Sequence, residues 1–168
     1  LTELVRLSPE EFQSAPKTPL VVVLDNVRSL HNVGSVFRTC DAFLAEAVYL
    51  CGITSAPPHP EIHKTALGAE DSVGWKYVED TTDAVKELKA MGYMVFAVEQ
   101  AAGSIMLPDL QLLPDAKVAV VLGHEVKGVQ QEVIDMCDGC IEIPQFGTKH
   151  SLNVSVTGGI LIWEIFKQ

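Results

Sequence analysis

Three stretches of this sequence combine residue types suited to binding or chemistry. The first is Asn32-Val33-Gly34-Ser35-Val36-Phe37-Arg38-Thr39, which joins an amide, a glycine and one of only three arginines in the chain. A helix beginning there offers unpaired N–H groups to an anion, with Asn32 as its cap and Gly34 letting a partner approach the backbone. Arg38 lies one turn beyond Gly34 on the same side, within reach of a bound phosphate. A capped amphipathic helix with a solvated arginine would use the same residues. The second stretch, Gly123-His124-Glu125-Val126-Lys127-Gly128, sets a carboxylate between two glycines directly after the apolar run Val118–Leu122. It suits a turn whose backbone touches a ligand, and equally an ordinary strand-to-helix turn. It lacks the Gly-Lys-Ser/Thr ending of a nucleotide-binding P-loop, and the chain contains no Gly-x-Gly-x-x-Gly. In the third, Ile143-Pro144 is followed by Ser151-Leu152-Asn153-Val154-Ser155. Hydroxyls and an amide buried at the start of an apolar helix need partners, from a tight ligand or a second chain segment. Capping by Ser151 is the simpler role.

The elements that must position these stretches alternate along the chain. Leu20–Leu24 and Val118–Leu122 are unbroken apolar runs, the pattern of strands buried on both faces. Ala47–Leu50, Trp75–Val78, Tyr93–Val98 and Ile141–Ile143 read as further strands. Ser8-Pro9-Glu10-Glu11 opens a short helix, with Ser as cap, Pro at the first position and Glu at the third. Val33, Val36, Phe37, Cys40, Phe43 and Leu44 recur at helical spacing. Further helices are expected over Glu61–Ala69, over Thr81–Met91 (capped by Thr81 or Thr82 and closed by Gly92), over Val129–Met136 and over Leu152–Phe166. Gln100–Ala116 reads as a loop. Such alternation predicts an α/β fold with a mostly parallel sheet flanked by helices. Residues 1–19 form a short leader and 20–168 a single domain, without internal repeats. All three polar stretches follow strands, and ligands of open parallel sheets bind beyond the strands' carboxyl ends.

Composition narrows the function classes. Apolar residues make up 48% of the 168 and charged residues 20%, which excludes disorder by composition. No apolar run approaches the ~20 residues that span a bilayer. Glu3, Arg6, Glu10 and Glu11 interrupt Leu1–Gln13, so no signal peptide is expected and the cytoplasm is the expected location. Cys40, Cys51, Cys137 and Cys140 are too few for a disulfide scaffold. Cys137-Asp138-Gly139-Cys140 has metal-ligand spacing but no second cysteine pair, so no metal is expected. A net charge of −10 argues against broad nonspecific binding to nucleic acid. A local patch of Arg28, Arg38, Lys64 and Lys149 remains available for phosphates.

Taken in order, the three stretches resemble the signature of the SpoU (TrmH) family of RNA methyltransferases. Asn32-x-Gly34-x-x-x-Arg38-Thr39 resembles its first motif and Gly123-x-Glu125-x-x-Gly128 its second. Ile143-Pro144 with Ser151-Leu152-Asn153-Val154-Ser155 is similar to its third, and Lys64-Thr65-Ala66-Leu67-Gly68-Ala69 to a lesser segment. The similarity covers residues 20–168. It implies a deep C-terminal trefoil knot, a topology that the general rules of chain connection would reject. It also implies S-adenosyl-L-methionine as cofactor, contacted largely through the backbone of Gly123, Ile143 and Leu152, with Val98–Gln100 helping to enclose it. The reaction implied is methyl transfer to a ribose 2'-hydroxyl of structured RNA, transfer or ribosomal, by a homodimer.

By the same resemblance Arg38 takes the central catalytic role, accompanied by Asn32, Glu125, Ser151 and Asn153. Glu125 is expected to orient Arg38 or to help organise the knot. A guanidinium keeps its proton, with a pKa above ~12. Arg38 is therefore expected to clamp an RNA phosphate and stabilise developing alkoxide charge rather than act as the base. His31, His124 and His150 flank the motifs as solvated or structural imidazoles. The apolar helix Ile160–Phe166, with Trp163 and Phe166, is expected to supply part of the two-fold interface. Two other readings stay open: a noncatalytic RNA-binding homologue of the same fold, and a nucleotide- or sugar-processing α/β enzyme.

Overall fold

The run around Leu20–Leu24 forms the strand β1 (Thr18–Asp25) at the middle of the molecule. Leu20, Val22 and Leu24 enter one apolar cluster and Val21 and Val23 another, so both faces of β1 are covered and no polar alternation is possible. The computed structural model describes residues 5–168. Along them run α1 (Pro9–Ser14), β1, α2 (Leu30–Ala42), β2 (Ala45–Cys51), α3 (Pro60–Ala66), α4 (Ala69–Ser72), β3 (Gly74–Val78) and α5 (Thr81–Ala90). β4 (Met94–Val98), β5 (Ile105–Met106), β6 (Val118–Leu122), α6 (Gln131–Met136), β7 (Gly139–Glu142) and α7 (Val154–Phe166) follow.

The seven strands form one sheet in the order β3-β2-β1-β6-β4-β7-β5, and every pairing is parallel. α2, α3 and α7 cover one face through Val36, Phe37, Ile62, Leu161 and Ile162. Ala84, Val85 and Leu88 of α5 and Val133 of α6 cover the other. Parallel crossovers are right-handed, so reversing the direction of strand order moves the connecting helix to the opposite face. Reversal opens a crevice beyond the strand ends, where the loops part.

Several expectations are corrected. α2 is capped by Ser29, whose Oγ accepts the Asn32 N–H at 3.2 Å, so Asn32 lies inside the first turn with its amide free for other work. α5 is capped by Asp80, which accepts from Thr82 N at 2.9 Å. Thr81 instead donates to the buried Asp25 at 2.6 Å, and Gln130 donates to the same carboxylate from its backbone and side chain. The helix expected over Glu61–Ala69 is broken at Leu67 and Gly68, both left-handed (φ 53° and 99°). The expected loop Gln100–Ala116 contains β5, a sheet edge too short to leave any periodicity. α1 sets Phe12 into the main core, which ties the expected leader to the domain.

Gly34 serves packing within the chain. A Cβ there would overlap the Ile62 carbonyl oxygen and the Thr65 hydroxyl of α3, so the two helices touch backbone to backbone. The Thr65 hydroxyl completes the join by donating to the His31 carbonyl at 2.8 Å. Alanine at 34 gains roughly 1 kcal/mol of helix propensity but must displace a backbone carbonyl, and overpacking of that kind costs about 1–3 kcal/mol. Urea denaturation of Gly34→Ala is therefore expected to show a lower midpoint than the wild-type chain. An unchanged or higher midpoint would show that α2 and α3 separate freely.

Candidate functional site

A cavity of about 530 Å³ lies beyond the carboxyl ends of β4, β6 and β7. Val98 reaches it from β4, Gly123 from the turn after β6, and Ile143 and Leu152 from the segment joining β7 to α7. Glu125, Ser151 and Asn153 line it as well. Residues of the second and third polar stretches thus converge on the cavity, and the first stretch joins them through hydrogen bonds of Asn32 to Glu125 and Asn153. Asn32, Arg38, Arg28, Lys64 and Lys149 do not line it.

The junction of the stretches is the Glu125 carboxylate. Its Oε2 accepts the Arg28 backbone N–H at 2.9 Å, and its Oε1 accepts the Ser29 N–H at 2.8 Å and the Asn32 amide at 3.2 Å. The Asn32 carbonyl in turn accepts the Asn153 side-chain amide at 3.2 Å. Asn153 caps α7, its Oδ1 accepting from the Ser155 and Val156 N–H groups. One chain of hydrogen bonds therefore fixes the entry to α2, the turn after β6 and the start of α7. Burial raises the Glu125 carboxyl, but hydrogen bonds from Arg28, Ser29, its own backbone and Asn32 outweigh it and hold the group below the ordinary carboxylate range.

The turn itself is closed by a backbone bridge, with Gly128 N donating to the His124 carbonyl at 2.8 Å and His124 N to the Gly128 carbonyl at 3.1 Å. The His124 ring caps this turn, its Nδ1 accepting from Val126 N at 3.0 Å and Lys127 N at 3.2 Å. Gly123 lies so near that a Cβ would overlap the Gly128 carbonyl carbon. Gly128 has φ 70°, and the place of its absent Cβ is held by Glu99 Oε1. Glu99 accepts the Val129 N–H at 2.7 Å and lines the cavity, within the span Val98–Gln100 that the family resemblance implies as part of the enclosure. Its signal was indirect, in the paired glycines that make room for it.

The cations are placed differently. Arg38 is exposed on α2, and the expected contact with Glu125 is absent because that carboxylate is occupied by the loop before α2. Arg28, Arg38 and Lys149 make no ion pair among the described residues. Lys64 pairs with Glu61 at 2.6 Å, and Glu61 also takes His31 at 2.7 Å. Ser151 and Asn153 are exposed at the cavity rim, so the partners expected for buried hydroxyl and amide groups are not demanded by burial. Burial pushes the Cys137 thiol up to about 12, far from a reactive thiolate.

A wholly parallel sheet, with glycine turns and an interleaved polar junction around a cavity at its strand ends, defines an α/β fold of the ligand-binding class. Residues 19–163 match the SpoU rRNA Methylase family, and the chain belongs to that family. It is 34% identical over its full length to the 23S rRNA (guanosine-2'-O-)-methyltransferase RlmB of Nitrosomonas europaea, covering 64% of that protein. A TrmH/SpoU tRNA modifying enzyme of A. aeolicus superposes with a TM-score of 0.84 at 27% identity, over 95% of this chain and 80% of that one. An AdoMet-bound rRNA methyltransferase from Sinorhizobium meliloti gives a TM-score of 0.83 at 27% identity, over 96% and 61% respectively. The chain spans 62% and 64% of the length of two curated relatives it matches.

The Glu125 carboxyl is harder to protonate in the folded chain than in the unfolded one, whose value is near 4.5. Its contribution to stability is therefore complete above that value and is lost as pH falls through the lower folded value. Glu125→Gln removes the contribution at every pH. The stability gap between wild type and Glu125→Gln is expected to be widest at pH 7 and to narrow as pH drops below about 4.5, read from denaturation midpoints. A gap independent of pH would mean that the carboxylate charge has no part in holding the junction.

Proposed function

We propose that this chain transfers the methyl group of S-adenosyl-L-methionine to a ribose 2'-hydroxyl of a structured transfer or ribosomal RNA, acting as a homodimer in the cytoplasm. One observation carries the reading: Val98, Gly123, Ile143 and Leu152, far apart in sequence, line a single cavity joined to the Glu125–Asn32–Asn153 junction. The cavity fits the cofactor. Its volume of about 530 Å³ lies in the range of small-molecule sites, roughly 300–1,000 Å³, and it mixes apolar side chains with backbone exposed at glycines. A deep trefoil knot over the C-terminal part belongs to the same proposal. It is supported by β7 lying between β4 and β5 while α7 packs on α2 and β1, which obliges the intervening segment to pass the ends of β4 and β6. Residues 20–168 are then the methyltransferase domain.

Bound S-adenosylmethionine supplies an electrophilic methyl group on a sulfonium. The protein's work is to hold the 2'-oxygen in line with it and to ease loss of the hydroxyl proton. Arg38, permanently charged, clamps an RNA phosphate and stabilises the developing alkoxide, and water or the phosphate takes the proton. Asn32, Glu125 and Asn153 act as positioning residues by fixing the loops, and Ser151 stands at the rim to meet the substrate. Arg28, Lys64 and Lys149 are the further phosphate contacts.

Arg38 lies outside the cavity of its own chain, so a second copy is needed to complete each site. Val156, Ile160 and Trp163 form an exposed stripe along α7, and Phe43 stacks against Trp163 and Phe166 with ring centroids 5.5 and 5.2 Å away. A half-exposed apolar stripe of this kind is the surface of an interface.

Two outcomes test the reading. Transfer of labelled methyl groups to total RNA is expected to fall about 100-fold or more in Arg38→Ala and nearly as far in Arg38→Lys, because lysine lacks the planar fork. Full activity in Arg38→Lys would refute the role, and wild-type binding of cofactor without any transfer would favour a noncatalytic RNA-binding homologue. For the dimer, Ile160→Asp combined with Trp163→Asp is expected to halve the mass seen by sedimentation equilibrium. A wild-type chain that is already monomeric would remove the two-copy site.

A further inference from the structure

Glu99 follows the last residue of β4 and lines the cavity. Its backbone N–H donates to the Ile141 carbonyl at 3.2 Å, its Oε1 accepts the Val129 N–H at 2.7 Å, and the same oxygen fills the place of a Cβ at Gly128. Oε2 receives no hydrogen bond from the described residues, so half of a fixed carboxylate is free within a ligand cavity. Of the other lining carboxylates, Glu125 has both oxygens engaged and Glu142 has one. Glu125 uses both oxygens on the loop before α2, and Glu142 accepts the Ser104 hydroxyl at 2.7 Å.

We infer that Glu99 makes this cavity discriminate the cationic methyl donor from its neutral-sulfur product, S-adenosylhomocysteine. The inference rests on the cofactor reading above. In the transfer the sulfur–methyl bond breaks, its electron pair stays on sulfur, a bond forms from the methyl carbon to the 2'-oxygen, and the hydroxyl proton leaves to water or phosphate. Sulfur thereby loses its positive charge, while the adenosyl, ammonium and carboxylate groups are unchanged. The donor differs from the product by that charge and by the methyl group itself, and a fixed carboxylate responds to the charge. A positive charge held on the order of 10 Å from Glu99 in this cavity would, with partial screening, feel an attraction worth about tenfold in affinity. Transfer removes this attraction, which favours product release.

The test is calorimetric titration of the whole purified chain with S-adenosylmethionine and, separately, S-adenosylhomocysteine. Glu99→Gln keeps an oxygen for the Val129 N–H and almost the same shape, but removes the charge. It is expected to weaken donor binding about tenfold while product binding stays within about twofold. Equal weakening of both ligands, or no change in either, overturns the inference and leaves Glu99 as a prop for the Gly128 turn. Glu142→Gln, measured alongside, is expected to shift the ratio of the two affinities less than Glu99→Gln does; a larger shift there overturns the assignment. A wild-type chain that binds neither ligand overturns the cofactor reading itself, and this inference with it.

Discussion

A carboxylate that accepts two backbone N–H groups and a side-chain amide, each from the segment before or within the first turn of α2, is the contact around which this structure is arranged. Glu125 stands on the turn after β6, so its hydrogen bonds join residues 96 and 97 positions apart in the chain. Through Asn32 the same group reaches Asn153 and the start of α7. Three loops that share no sequence neighbourhood thereby hold one another. A carboxylate suits the task because charge-assisted bonds to N–H groups are roughly twice as strong as neutral ones. Losing the acceptor would leave its donors unpaired, at about 1–3 kcal/mol each if they are cut off from water.

That junction has steric consequences for the turn carrying Glu125. The turn must return within five residues, and its backbone bridge from His124 to Gly128 brings Gly123 against the Gly128 carbonyl. A side chain at Gly123 would force the turn open, and one at Gly128 would displace Glu99. The sheet imposes the direction. With every strand parallel, all carboxyl ends face one way, and the turns after β4, β6 and β7 have one place to meet.

Much of this was legible in the residues. Unbroken apolar runs in β1 and β6 required coverage on both faces, and Val118–Leu122 is the strand with the bounds its sequence suggests. The Ser8 capping box is present as written. Less legible were features set by long-range partners. Nothing local distinguishes Ser29 from Asn32 as the cap of α2, because the choice depends on a carboxylate more than 90 residues away that takes the Asn32 amide. Gly34 read as a place where a partner approaches the backbone, and that partner is α3, since a missing side chain signals close approach without naming what approaches. Arg38 could be placed on its helix face but not relative to the cavity, which depends on the tilt of α2 against the sheet. The membership of residues 19–163 in the SpoU family agrees with the motif resemblance, and motif order carried more information there than any single spacing.

Under the proposed function, an acidic chain must reconcile 22 carboxylates with 12 cations in order to act on RNA. Four of the lysines, Lys64, Lys76, Lys89 and Lys167, are engaged with carboxylates of the same chain. Among the described residues, Arg28, Arg38 and Lys149 stand outside such pairs, as do Arg6, Lys17, Lys86, Lys117 and Lys127, and Arg28 lies on the loop whose backbone Glu125 holds. With 22 carboxylates to 12 cations, each copy offers phosphates too little net attraction for tight nonspecific binding at physiological salt. An RNA that met these cations singly would bind weakly, whereas one whose fold matched the spacing of the cations on two copies would meet them together. Under the proposed function, scarcity of positive charge is thus a source of selectivity: it transfers recognition from sequence-independent attraction to the shape of the folded RNA.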